Sequence, residues 1–297
     1  MTSETVTCTR QHTLVTGAST GIGRATALRL AAAGQHVYAG VRKPADGERL
    51  AAAASGGQLT PLLLDVTDTG QIAAGAKDVA AHVGQAGLNG LVNNAGIGLA
   101  CPAELIQLDT FRRVLEVNLT GQLAVTQEFL PLLRRARGRI VVISTIGVRF
   151  CPPFAGALDA AKSGLAALAD CFRQELAPWG IKVVLVEPAS INSGAADKVR
   201  RDADTAMAAA PAERRALYAD SFGRMLGVMV RREGQGSPPE VAAATVYQAL
   251  AAPRPAPVYL SGKDARRLAA LSRLPVPVLD AVRRKIFRLP APGSLAA

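Results

Sequence analysis

Seven short aliphatic runs punctuate the chain: "HTLVT" (12–16), "HVYAGV" (36–41), "LTPLLLDV" (59–66), "LNGLVN" (88–93), "RIVVIST" (139–145), "KVVLVEP" (182–188) and "PVYLS" (257–261). Most are apolar at every position rather than at alternate ones. A strand apolar on both sides is buried on both, as in a parallel sheet covered by helices above and below. Helical patterns fill the gaps, near 21–33, 69–83, 103–136, 156–178 and 237–252. Repeated strand–helix units predict an α/β protein: a doubly wound, mainly parallel, seven-stranded sheet in the order 3-2-1-4-5-6-7, flanked by helices.

Two regions break the rhythm. Residues 190–236 form a long interlude of charged residues, Ala and Gly after the sixth strand, with some helix expected. Insertions at the carboxyl ends of strands are where covers over ligand sites sit. The tail, 262–297, carries Pro275, Pro277 and Pro290 around a basic segment. Its apolar stripes with Arg between them suit an anionic membrane surface. The favoured reading is a pair of short helices closing a pocket or packing on a partner subunit, because the prolines split the segment. No linker or repeat divides residues 1–297, so a single domain is expected.

Composition narrows the function. The net charge is +11, but the basic residues are scattered and lack interleaved aromatics, so nucleic-acid binding is not expected. The cysteines Cys8, Cys101, Cys151 and Cys171 show neither metal-ligand spacing nor a disulfide framework, so no metal is expected and a reduced, cytoplasmic setting fits best. The first residues lack the pattern of a signal peptide, and no run reaches the about 18 apolar residues of a membrane span.

"LVTGASTGIGRATALRL" joins the first strand to the first helix. Gly17 permits a tight turn, Gly21 lets the backbone approach a pyrophosphate, and Gly23 lets the helix pack close to the sheet. Ser19, Thr20 and Ile22 complete the turn, and the helix N-terminus offers free N–H groups to phosphates. An acid at the end of the second strand would bind the ribose of NAD. Val41 stands there instead, followed by Arg42 and Lys43. Two cations and no carboxylate favour a 2′-phosphate, hence NADP(H); the alternative is a pair of exposed loop cations. Asp65, before Val66 at the end of the third strand, suits either a hydrogen bond to adenine or a helix cap.

Taken together these motifs resemble the short-chain dehydrogenase/reductase family over residues 12–261, with a weaker likeness to its steroid and retinol dehydrogenases. "TGASTGIG" resembles the family's glycine motif. "NNAG" (93–96), with Asn93, Ala95 and Gly96, resembles the motif beside the adenosine. Asn118 in "VNLTG" matches the asparagine of the proton relay. "PASINS" (188–193), with Pro188, Ile191 and Ser193, resembles the segment that holds the nicotinamide amide. The resemblance implies a Rossmann-type fold, a nicotinamide cofactor, and a serine, tyrosine and lysine at set spacing. Lys162 takes the lysine position, where it also binds the nicotinamide ribose. Thr145, preceded by Ser144, takes the serine position with its hydroxyl retained. The tyrosine position, four before Lys162, is Leu158.

That departure touches the chemistry directly. A positioned proton donor is worth about 10²–10⁴-fold in rate, and leucine cannot supply one. Asp159 is turned about 100° from the Leu158 direction and reads as a helix-surface acid rather than a substitute. Tyr218 in the interlude reads as a packing residue, Cys101 and Cys151 as small buried hydrophobes that could border a pocket, and the three histidines as structural or exposed. Three readings stay open. The protein is an NADP(H)-dependent oxidoreductase for an activated C=N or C=C bond, which needs no phenol. Or it binds NADP without redox chemistry, as a template, sensor or subunit. Or it reduces a carbonyl, an ordinary one slowly or a specialised one, with Thr145 or a group of the interlude as donor. The first is favoured, with a mostly apolar organic substrate and a homodimer or homotetramer expected.

Overall fold

The computed structural model describes residues 11–194 and 196–294; Cys8 lies outside them. At its centre is one sheet of seven strands: β1 (His12–Val15), β2 (His36–Val41), β3 (Gln58–Leu63), β4 (Gly90–Asn93), β5 (Arg139–Ile143), β6 (Lys182–Pro188) and β7 (Val258–Ser261). The spatial order is 3-2-1-4-5-6-7 and each neighbouring pair is parallel, as the apolar runs predict. The helices are α1 (Gly21–Ala32), α2 (Pro44–Ala52), α3 (Thr69–Val83), α4 (Leu108–Leu115), α5 (Gly121–Ala136) and the short α6 (Gly147–Phe150). They continue with α7 (Gly156–Glu175), α8 (Ala196–Ala208), α9 (Ala212–Gly234), α10 (Pro239–Ala251), α11 (Ala265–Leu271) and α12 (Val276–Phe287).

The two sheet faces make two cores. Leu14, Leu91, Ile140 and Leu185 point to one face and meet Val79 of α3, Phe129 of α5 and Leu165 of α7. Val15, Val37, Val92 and Val184 point to the other and meet Ala27 and Leu30 of α1 and Val246 of α10. Neighbouring residues therefore go to opposite faces and both are buried, which is why these strands carry no polar alternation. Each fully buried Val or Leu contributes about 1.5–3 kcal/mol to holding the layers together. A third apolar cluster sits beyond the sheet, where Phe150, Ala161, Phe222, Met225, Leu268 and Phe287 bring α6, α7, α9, α11 and α12 together.

Several element boundaries differ from the sequence expectation. The helix expected over 103–136 starts only at Leu108 and is interrupted by a π-helical turn, Glu116–Thr120, between α4 and α5. Gly121 explains the tight approach there, since a Cβ on it would stand 2.5 Å from the Val66 carbonyl oxygen. The short helix α2 has Pro44 in its first turn but only Gly47 and Leu50 buried, too little for a periodic stripe. β3 ends at Leu63 rather than Val66. It is an edge strand, which accommodates Pro61. The interlude after β6 folds into α8 and α9, and the tail into α11 and α12. Among the described residues no helix is long and apolar enough to cross a membrane.

Candidate active site

The carboxyl ends of β1, β2, β4 and β5 open into a cleft of about 350 Å³, at the edge of the sheet where doubly wound folds take their ligands. Its floor is the turn between β1 and α1. Gly17 and Gly21 have φ of +62° and +54°, a region that favours glycine. A Cβ on Gly17 would also stand 2.8 Å from the Ala95 Cα, so the turn needs glycine for space as well as for conformation. Gly23 packs against the Gly17 carbonyl and the Asn94 side chain. Ser19, Thr20 and Ile22 line the cleft, and the first turn of α1 carries no acid to oppose an anion.

The β4 end is tied to this turn by hydrogen bonds. Thr16 Oγ1 accepts from the backbone N–H groups of Asn94 and Ala95, both at 3.0 Å, while Asn94 Nδ2 donates to the carbonyls of Thr16 at 2.8 Å and Gly17 at 3.1 Å. Asn94, Ala95 and Gly96 line the cleft, but Asn93 does not. Asn93 points into the core and donates to Thr126 Oγ1 at 2.7 Å. The expectation that Asn93 binds cofactor is thus corrected by one position, because alternate residues of a strand face opposite ways.

At the other end of the cleft stand Gly40, Val41 and Arg42, with Asp65 and Val66. Asp65 does not cap a helix. Its carboxylate accepts from the Thr67 N–H at 2.9 Å and the Thr67 hydroxyl at 2.8 Å, and the cap of α3 is Asp68. Burial pushes the Asp65 pKa up. The Thr67 hydrogen bonds and the charges of Arg42 and Arg113 outweigh this, and the net shift is downward. The group is an anion beside the Arg42 guanidinium. Lys43 caps the start of α2 and is exposed, outside the groups that line the cleft.

At the centre, Lys162 of α7 is buried and its Nζ donates to the Ile143 carbonyl at 2.7 Å. Burial lowers its pKa to about 8. Asn118, placed by the π-helical turn, donates to the carbonyls of Ile97 and Val114 at 3.0 and 2.9 Å. A Cβ on Gly96 would stand 2.6 Å from Asn118 Oδ1 and 3.6 Å from Lys162 Nζ, so glycine keeps the space beside both groups open. The Ser144 hydroxyl, in the same wall, is buried with no hydrogen-bond partner among the described residues. A buried orphan hydroxyl facing a cleft is one that a bound molecule would satisfy. Ser193, above the glycine turn, donates to Glu233 of α9 at 2.9 Å. The glycine cradle, the α1 N-terminus, Ser144 and Lys162 together fit a dinucleotide.

Beside the cleft lies a second cavity of about 280 Å³, and Gly98 and Leu158 border both. Leu158 therefore stands between the two, where the sequence spacing puts it. The second cavity is mostly apolar. Phe150 of α6, Val199 of α8, Met229 and Val230 of α9, Leu268 of α11 and Phe287 of α12 line it. The interlude and the tail thus both close over this space. Thr145 and Ile191 face this cavity and not the dinucleotide cleft. Thr145 Oγ1 accepts from the Gly147 N–H at 3.1 Å, which leaves its own proton free to donate. Pro188 lines neither space. It ends β6, and its carbonyl accepts from the Ile146 N–H at 2.9 Å.

Asp159 overturns its sequence reading. It is 8% exposed rather than on the helix surface, and it lines the apolar cavity. α6 and α12 cover this side of α7. Burial raises its pKa to about 7, against the opposing charge of Arg283. Tyr218 lies outside the cavity and donates to Glu104 at 2.8 Å. Cys101 is buried in the outer apolar cluster, Cys151 is exposed, and neither borders the cavity.

A doubly wound parallel sheet with a glycine-cradled cleft and a buried lysine at its centre defines a nucleotide-dependent oxidoreductase scaffold. The short chain dehydrogenase model matches residues 11–204, and the chain belongs to that family. It is similar to retinol dehydrogenase 5 of Mus musculus, 37% identical over 93% of this chain and 89% of that one. It is also similar to 17-beta-hydroxysteroid dehydrogenase type 6 of Bos taurus, 41% identical over 62% of this chain and 57% of that one. Among solved structures, a short-chain dehydrogenase from Streptomyces avermitilis superposes with a TM-score of 0.71 at 29% identity, over 94% of this chain and 96% of that one. The protein is an oxidoreductase of the short-chain dehydrogenase family.

Proposed function

We propose that the chain is an NADP(H)-dependent oxidoreductase that reduces a carbonyl group on an extended apolar organic molecule. The observation that carries this reading is the apolar cavity that meets the dinucleotide cleft at Leu158, with the Thr145 hydroxyl on its wall. The names of the relatives speak of retinol and hydroxysteroids, both apolar alcohols, and a cavity of this lining suits that class. The choice of NADP(H) rests on Arg42 at the ribose end and on Val41, which offers no carboxylate to a ribose hydroxyl. Gly17, Gly21 and the α1 N-terminus would hold the pyrophosphate, Asn94 and Ala95 would flank the adenosine side, and Lys162 and Ser144 would hold the nicotinamide ribose. When bound, the cofactor would supply hydride. The Thr145 hydroxyl would donate a hydrogen bond to the substrate oxygen and orient it, while α9, α11 and α12 exclude water.

Leu158 favours a second reading, in which the substrate is an activated C=N or C=C bond that needs no phenol. The test is NADPH oxidation with apolar ketones, iminium salts and enones, each repeated with NADH. Turnover of ketones with NADPH well above NADH is expected. Turnover of iminium salts alone would favour the second reading. Tight NADPH binding with no turnover of any compound would leave a template, sensor or subunit.

A further inference from the structure

Among the described residues that line the substrate cavity, Asp159 is a buried carboxyl with no hydrogen-bond donor. The other carboxyl there, Glu233, accepts from Ser193. Asp159 follows Leu158 directly, yet it reaches a different wall. Its carboxyl fills the space that a side chain on Gly147 would need, and the Thr145 Cγ2 lies 3.1 Å from that same point. The Thr145 methyl is the part of that side chain nearest this point, and no hydrogen bond joins the carboxyl to Thr145 Oγ1, which accepts from the Gly147 N–H. Both side chains line the same cavity, so each can meet a substrate oxygen there.

The charged and titratable groups around Asp159 can be named element by element. From α12, Arg283 is held by the Phe150 carbonyl at 2.7 Å and by Asp280 at 2.8 Å, and it acts on Asp159 through charge alone. The Cys151 thiol follows α6, and burial pushes its pKa up. Across the cavity on α9, Arg232 pairs with Asp264 at 3.6 Å and Glu233 is bonded to Ser193. On α7 itself, Lys162 is turned into the cofactor cleft. Arg149 of α6 pairs with Glu187, and neither lines the cavity.

We infer that Asp159 supplies the proton in place of the absent phenol, as a carboxylic acid on the wall of the substrate cavity, with the Thr145 hydroxyl orienting the substrate oxygen. The inference rests on the carbonyl-reductase reading above. In the reductive direction a bound reduced nicotinamide would supply hydride to the carbonyl carbon. The C=O π pair moves to oxygen, which takes the proton of the Asp159 carboxyl while Thr145 Oγ donates a hydrogen bond to that oxygen. The products are the alcohol, the oxidised nicotinamide and the Asp159 carboxylate. Arg283 stabilises the new negative charge, and the carboxylate regains its proton from water before the next turnover. A carboxyl in an apolar site is kept protonated near neutral pH by the cost of burying its charge, the condition a general acid requires. With its pKa near 7 it both donates and recovers the proton.

The experiment compares the full-length wild type, Asp159→Asn and Thr145→Val, each loaded with NADPH. The probes are decalone, an apolar ketone, and an N-methyl-dihydroisoquinolinium salt, which needs no proton. Asp159→Asn is near-isosteric and removes a charge from an apolar wall, so its fold is expected to survive. For decalone, kcat should fall about 10²–10⁴-fold in Asp159→Asn with KM and NADPH affinity unchanged. Wild-type kcat should fall as pH rises through about 7, and the variant should be flat over that range. Carbon-13 NMR of labelled aspartate should show a carboxyl titrating near 7 in the wild type and in Thr145→Val, and none in Asp159→Asn. Thr145→Val should lose decalone turnover while keeping that titration. The iminium salt should be reduced equally by wild type and Asp159→Asn. Decalone turnover by Asp159→Asn at the wild-type kcat and pH profile would overturn the inference and leave the proposed function standing. A wild-type protein in which no aspartate titrates above the ordinary carboxyl range would also overturn it. Turnover of the iminium salt without turnover of decalone would remove the carbonyl reading itself, and the inference with it.

Discussion

Replacing Leu158 by tyrosine in an Asp159→Asn background tests whether the missing phenol and the buried carboxyl do the same work. Leu158 borders both the dinucleotide cleft and the apolar cavity, so the added ring has about 280 Å³ of open space beside it. Lys162 lies one helical turn away on the same face, and its ammonium would lower the pKa of the phenol. A restored donor is worth about 10²–10⁴-fold in kcat. We therefore expect Asp159→Asn to lose ketone turnover and Leu158→Tyr/Asp159→Asn to recover most of it. Leu158→Tyr alone should gain far less, because a donor is already present. The assay is NADPH oxidation with decalone across pH, with NADPH affinity by calorimetry and melting curves as controls. Two groups that serve one step are strongly non-additive, and this cycle reads that coupling directly. Equal gains from the tyrosine in both backgrounds, with cofactor affinity and melting intact, would mean that Asp159 is not the donor it replaces.

Arg42→Asp should weaken NADPH binding by roughly ten- to a hundredfold, the value of a charge-assisted hydrogen bond, with little effect on NADH. Calorimetry with both cofactors checks this, and an equal loss for both would count against the 2′-phosphate assignment. Gly17→Ala meets both positive φ and the Ala95 backbone, so it should lower the melting temperature and abolish cofactor binding, as melting curves with and without NADPH will show. The folded-state pKa of Asp159 is raised above its unfolded value. Its relative contribution to stability is therefore full below pH about 4 and is lost as pH rises through about 7. Asp159→Asn should accordingly be more stable than wild type at pH 8 by up to a few kcal/mol, with the difference shrinking toward pH 4, as read by denaturant titration. Phe287→Ala opens the end of the apolar cavity and should raise KM for apolar ketones while leaving NADPH affinity unchanged. Steady-state kinetics and calorimetry separate the two effects.

The sheet, its strand order and the cofactor cleft were legible along the chain because they depend on local rules. Uninterrupted aliphatic runs bounded by turns read as strands buried on both faces, as β1, β2, β4, β5 and β6 are, and Gly17, Gly21 and Gly23 sit between such a run and a helix. Leu158 and Lys162 share a face because four residues make about one helical turn. The choice between neighbours was harder to read. Asn94 rather than Asn93 turns to the cleft, and Ser144 and Thr145 face different spaces, because strand ends decide orientation by a single residue. What the sequence could not decide was Asp159. Seen from α7 alone it is one more charge near a helix start. It is buried where α6 packs on α7 and where the tail helices, arriving more than a hundred residues later, close the same cavity, with Gly147 leaving room for the carboxyl. Burial is a property of every element that packs on a position, and desolvation sets the proton affinity of a carboxyl. Local pattern could therefore show Leu158 four positions before Lys162, while only the assembled fold could bury a carboxyl in the wall of the neighbouring cavity.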